Sequence, residues 1–162
     1  MNPINFNFLH PTPEDRDRIF QFMLACDLAE FGEEDSDPGD LADQWAEADL
    51  SADAWIALDP QGALHGYALF SVTSPVRCDL DLYVNAQSAA NPSAELTDRA
   101  IERFRQVVSS GVVSPECELV TYASGLNTSR RATLEARGFY IVKYHYRMQV
   151  DFTAPTPAPT LP

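Results

Sequence analysis

The stretch NTSRRATLEARGFY, running from Asn127 to Tyr140, carries its own beginning and end. Asn127 can cap a helix, because its short amide oxygen reaches backbone N–H groups that a first turn leaves without partners. Gly138 can end one, since glycine takes the left-handed backbone of a helix stop at no steric cost. The run before the stretch, ELVTYA (118–123), alternates with the period of a strand, and so does FYIVKYHYRMQV (139–150) after it. In the latter, Val142, Tyr144, Tyr146, Met148 and Val150 share one face. A strand, a short helix and a long last strand are predicted in succession.

The same signals can be followed outward to the N-terminus. INFNFL sets Ile4, Phe6 and Phe8 against Asn5 and Asn7, a half-buried strand. Thr12 and Pro13 open a helix whose apolar positions Ile19, Phe22, Met23, Cys26 and Ala29 recur at helical spacing until Gly32. Asp37-Pro38 begins a second, shorter helix carrying Leu41 and Trp45. AWIAL and LHGYALFSV flank the turn residues Asp59-Pro60-Gln61-Gly62, which predicts a hairpin, and VRCDLDLYV adds a third antiparallel strand. After Pro92, the positions Leu96, Ala100, Ile101, Phe104, Val107 and Val108 make an amphipathic helix that ends near Gly111.

The chain has 162 residues, 45% of them hydrophobic, enough for one domain with a proper core. That domain is expected over residues 1–151, followed at 152–162 by a Pro/Thr-rich segment without apolar periodicity, read as a disordered tail or linker. No apolar run approaches the roughly 18 residues that span a bilayer, and MNPINFNFLH lacks the basic-then-apolar order of a signal peptide. A cytoplasmic location with no membrane partner is the expectation. The net charge of −13 argues against nucleic acid, whose binding rests on neutralising phosphates. Between Arg18 and Arg77 there is no Lys or Arg at all, and every charged residue from Asp27 to Asp59 is acidic. Cys26, Cys78 and Cys117 are widely spaced with no CxxC pair, and His10, His65 and His145 are scattered, so no metal site is expected. The cysteines read as buried small hydrophobes.

The order of these elements resembles the GNAT superfamily of acyl-CoA-dependent N-acetyltransferases, over Ile4 to Val150. Its most specific match is the opening stretch: an Asn at the helix start, a glycine and an aromatic at its end, then a strand. The resemblance implies an α+β fold in three layers, with a central mixed, mostly antiparallel sheet flanked by helices. It implies acetyl transfer from acetyl-CoA to an amine, with the coenzyme running past Leu82 and Val84 and near Asn127. Counted from Val84, the family's pyrophosphate loop falls on Ala89, Ala90, Asn91, Pro92, Ser93 and Ala94. Here that loop is degenerate: it has no glycine, and Pro92 has no N–H to offer a phosphate. Asn91 and Pro92 instead form a self-sufficient helix start, with Glu95 and Asp98 facing the helix dipole. Arg130 and Arg131, the adjacent basic pair, are the candidate phosphate donors in its place; the alternative is a solvated helix face paired with Glu135.

Asp81 is the candidate general base, because the family's bases often lie on the strand beside the thioester. Asp79 is its same-face alternative, and both aspartates could instead face water or pair with Arg77. The family's acid tyrosine falls on Leu134, which cannot transfer a proton, so Tyr140 is taken as the catalytic tyrosine, with Tyr144 and Tyr146 as alternatives. All three could equally be core or rim aromatics. The acidic stretch suits a small amine or a basic peptide end as acceptor. The competing reading is a non-catalytic GNAT lobe for docking or small-ligand binding, such as the N-terminal-type half of a tandem GNAT protein. A second GNAT domain or a homodimer is the partner expected.

Overall fold

The computed structural model describes residues 5–84 and 91–146. Five strands, β1 (Asn7–Leu9), β2 (Ala54–Leu58), β3 (Leu64–Ser74), β4 (Arg77–Val84) and β5 (Glu118–Thr121), lie side by side in chain order. The first four pair antiparallel and β4 pairs parallel with β5, so the sheet is mixed and mostly antiparallel, as expected. The β2–β3 hairpin turns where the Asp59 carboxylate accepts from the backbone N–H of Gln61 and Ala63, with Gly62 at φ 85°. The parallel step needs a crossover. It is supplied by helix α4 (Ser93–Ser109), which follows α1 (Arg16–Phe31), α2 (Pro38–Glu47) and the single-turn α3 (Leu50–Asp53) in the chain and precedes α5 (Thr128–Glu135).

Each sheet face buries its own cluster. Cys78, Leu80 and Leu82 of β4 join Leu96, Ala100 and Val107 of α4, with Phe6 and Phe8 packed at the margin. On the other face Ile56, Tyr67 and Leu69 meet Ile19 and Met23 of α1 and Leu41 of α2. The result is helix, sheet, helix, the three layers predicted. Gly32 and Gly138 stop their helices at φ 79° and 87°, the conformation for which those glycines were read. No helix among the described residues is long and apolar enough to cross a membrane.

Two expectations need correction. The turn at Leu50–Asp53 was not anticipated; the Asp49 side chain caps it by accepting from Ser51 N–H at 3.1 Å. More consequentially, the described part of the expected last strand, residues 139–146, carries neither helix nor strand. From Tyr140 to Tyr146 no backbone hydrogen bond reaches another described residue. Alternation marks two faces, but a strand forms only where a neighbouring edge accepts its hydrogen bonds. Ile4, Met148, Val150 and the 152–162 tail lie outside the described residues.

Candidate active site

The β4–β5 register runs from Arg77↔Glu118 to Leu80↔Thr121 and stops there. On its other side β4 stays paired with β3 as far as Val84↔Gly66. Among the described residues no strand pairs with Asp81 to Val84 on the side where β5 has turned away. Across that gap the chain after β5 is pinned by Ser124 N–H, which donates to the Glu30 carboxylate of α1 at 3.1 Å. Asn127 then caps α5 by accepting from Arg130 N–H at 3.0 Å.

Strand alternation puts Cys78, Leu80 and Leu82 into the α4 cluster, so Asp79, Asp81 and Tyr83 point toward α1. The two aspartates differ sharply. Asp79 is engaged by the Arg77 guanidinium, with contacts of 2.6 and 3.0 Å, and by the Thr73 hydroxyl. Asp81 makes no such bond: it is half-buried and hydrogen-bonds no described residue. Burial lifts its carboxyl above the usual range, the Asp79 charge adds to the rise, and Arg130 opposes it. For Asp79 the pairing with Arg77 is the role observed, whereas no described residue engages the Asp81 carboxylate.

Arg130 and Arg131 do not act as a pair. Consecutive helical residues point about 100° apart, and here Arg131 runs along α5 to Glu135 at 3.5 Å while Arg130 turns inward. Burial lowers the Arg130 guanidinium from its ordinary value, against which Glu30 is the largest opposing charge, followed by Tyr83 and Asp81. Its Nε is covered and hydrogen-bonds no described residue. Arg130 thus sits as the counter-charge of the site. Cys26, also in its range, has its thiol pushed up to about 12, chiefly by burial.

Leu134 is a buried residue of α5, and Arg137 at the end of that helix clasps Asp98 of α4 at 2.7 and 2.8 Å. Tyr140 is 75% exposed on the segment that forms no strand, and no described contact joins it to Asp81. At the α4 end, Ala89 and Ala90 lie outside the described residues. Asn91 accepts from Ser93 N–H at 2.8 Å, the helix start anticipated, and Ala94 follows in the first turn. Sequence reading missed Tyr83, Glu30 and Cys26. Tyr83 had a signal, standing two residues after Asp81 on the same strand face; Glu30 lies 94 residues from Ser124, and no local pattern announces that meeting.

No family model matches the sequence, and no curated protein matches it. Solved structures do. A GCN5-related N-acetyltransferase from Sphaerobacter thermophilus superposes with a TM-score of 0.66 at 21% identity, covering 82% of this chain and 42% of that one. The fold is that of the GNAT acetyltransferases. The yncA protein of Salmonella typhimurium, solved with its cofactor acetyl-CoA, gives a TM-score of 0.66 at 16% identity, over 91% of this chain and 86% of that one. A GNAT-superfamily phosphinothricin acetyltransferase from Sinorhizobium meliloti, in complex with acetyl-CoA, gives 0.62 at 16% identity, over 82% and 74%.

Proposed function

We propose that the protein is an acyltransferase moving an acetyl group from acetyl-CoA to an amine, with Asp81 taking the proton from the amine. The observation that carries this reading is the state of Asp81. It lies on the part of β4 that no described strand pairs on the β5 side beyond Thr121, half-buried and hydrogen-bonded to no described residue, with its carboxyl raised by burial. An ammonium has no lone pair for attack, and a carboxylate near its ordinary pKa of about 4 is a weak base toward it. Desolvation strengthens the base without adding a group.

The described residues fit an acyl-CoA in part. The edge of Asp81–Val84, including Leu82 and Val84, has no described strand beside it on the β5 side and could receive an extended arm bearing amides, as a sheet edge receives an added strand. In the first turn of α4, the N–H groups of Ala94 and Glu95 have no intrahelical acceptor and suit a phosphate. When bound, the thioester supplies an acyl carbon open to attack. Tyr83, whose phenol is raised mainly by burial, stays protonated at neutral pH on the same face as Asp81 and is better placed than Tyr140 to donate a proton. Glu30 and the acidic surface beyond it favour a cationic acceptor, a small amine or a basic peptide end.

The test is thiol release from acetyl-CoA against a panel of amines, with acetyl-CoA binding followed separately by calorimetry. Asp81→Asn is expected to lower turnover by about 10²- to 10⁴-fold and leave acetyl-CoA affinity in place. Equal turnover in wild type and variant would overturn the assignment.

A further inference from the structure

Helix α1 turns Ile19 and Met23 into the core, and the next position of that face, four residues on, is Asp27. Helical period alone would place an apolar side chain there. Asp27 is 5% exposed, the one charged residue that is buried among the described residues. A buried carboxylate is costly unless hydrogen bonds meet it. Here a single oxygen, Oδ2, accepts from the Ser36 hydroxyl at 2.6 Å, the Ser36 N–H at 2.8 Å and the Asp35 N–H at 3.3 Å. All three donors come from the connection between α1 and α2. The same Ser36 side chain meets the Tyr83 phenol. The Tyr83 ring is also held by Tyr67, stacked on it at 6.4 Å, whose hydroxyl in turn accepts from Trp45 Nε1–H at 2.8 Å.

We propose that Ser36 and Asp27 are positioning residues for proton donation by Tyr83: Ser36 fixes the phenol oxygen, and its hydroxyl, resting on Asp27, turns to the phenolate once the proton has left. The inference rests on the acetyl-transfer reading above. In the step, the Tyr83 O–H bond breaks and an S–H bond forms on the leaving thiolate. The Ser36 O–H bond stays whole and changes its acceptor from the Asp27 carboxylate to the phenolate. A hydroxyl has one proton to donate, so Asp27 holds it at rest and Tyr83 draws it only when charged. The charges around the phenol agree with this arrangement. Burial raises it most; Ser36 lowers it, Asp81 and Asp27 raise it, and Arg130 lowers it.

The phenol can be read directly. The full chain is prepared with 3,5-difluorotyrosine, whose more acidic phenol titrates closer to neutral pH, and followed by fluorine NMR, with Tyr83→Phe assigning the resonance. Ser36→Ala is expected to titrate at higher pH than wild type, because the phenolate loses its donor. Asp27→Asn, which keeps an oxygen for the three donors, is expected to titrate at lower pH, because a facing charge is gone. A mere loop anchor, once loosened, would let water reach the phenol and lower it in both variants. In the acetyl-transfer assay, Ser36→Ala is expected to lower kcat about tenfold, one hydrogen bond's worth, at an unchanged KM for acetyl-CoA. Ser36→Thr should restore it, and Ser36→Ala should add nothing to Tyr83→Phe. Phenol shifts of one sign, or a Ser36→Ala loss that persists in Tyr83→Phe, would overturn the inference and leave Asp81 as the base. A protein that turns over no amine would instead overturn the acetyl-transfer reading, and the donor role with it.

Discussion

Gly66 is where the sheet and the start of α4 come closest, and replacing it with alanine tests the packing that holds the proposed site together. A Cβ built there would stand 2.7 Å from Leu96 Cδ1 and 2.9 Å from Pro92 Cγ. Carbon atoms in contact prefer roughly 3.5–4.0 Å, so α4 must retreat by about 1 Å. Neither neighbour yields easily, because Leu96 is fully buried and the Pro92 side chain is a closed ring. Overpacking of this kind costs about 1–3 kcal/mol, and the strand regains roughly 0.5–1 kcal/mol because alanine loses less entropy on folding. The net loss spans about 0–2.5 kcal/mol and centres on about 1 kcal/mol, a fall in Tm of about 2–5 °C at that centre for a chain of this size. Differential scanning calorimetry reads it, with Gly125→Ala as control, since a Cβ at Gly125 meets nothing within 4 Å. The KM for acetyl-CoA is expected to rise as well, because the first-turn N–H groups of α4 move with the helix. A Tm at or above wild type in Gly66→Ala, or an equal fall in Gly125→Ala, would refute the reasoning.

Three further outcomes follow from the site and the core. The raised carboxyl of Asp81 means that the folded state holds its proton more tightly than the unfolded state does, so its charge lowers stability as pH rises through that window. Asp81→Asn should therefore flatten the acid-to-neutral part of the stability profile and raise Tm at neutral pH while it abolishes the acid limb of kcat/KM; urea titrations and pH–rate profiles measure the two. Arg130→Gln removes the charge that holds the Asp81 carboxyl down, so the acid limb of the same pH–rate profile should move to higher pH. Tyr67→Phe leaves the indole N–H of Trp45 without its 2.8 Å acceptor and should cost about 1–3 kcal/mol in chemical denaturation.

The elements most legible in the sequence were those that end on a residue with a local mechanism. Asp37-Pro38, Asn127, Gly32 and Gly138 each fix a helix end by chemistry contained within a few residues, and the structure shows those ends. The hairpin was legible in the same way, because the Asp59 carboxylate binds backbone only two and four residues away. The site was legible on one strand only. Asp81 could be named from its place on β4, but the choice between Asp79 and Asp81 turned on Arg77 and Thr73 closing round the former. Arg130 and Arg131 were indistinguishable as neighbours in sequence, since what separates them is a helical rotation and the position of Glu30 on another helix.

The failed strand has a different cause. ELVTYA and FYIVKYHYRMQV carry the same kind of signal, yet among the described residues only the first yields a strand, because β4 offers it an edge at Leu80↔Thr121 and the residues before it. Period-two alternation states which side chains share a face and is silent about which backbone will supply the hydrogen bonds. No described residue supplies backbone hydrogen bonds to residues 140–146, and Tyr140, Val142, Tyr144 and Tyr146 stand exposed there.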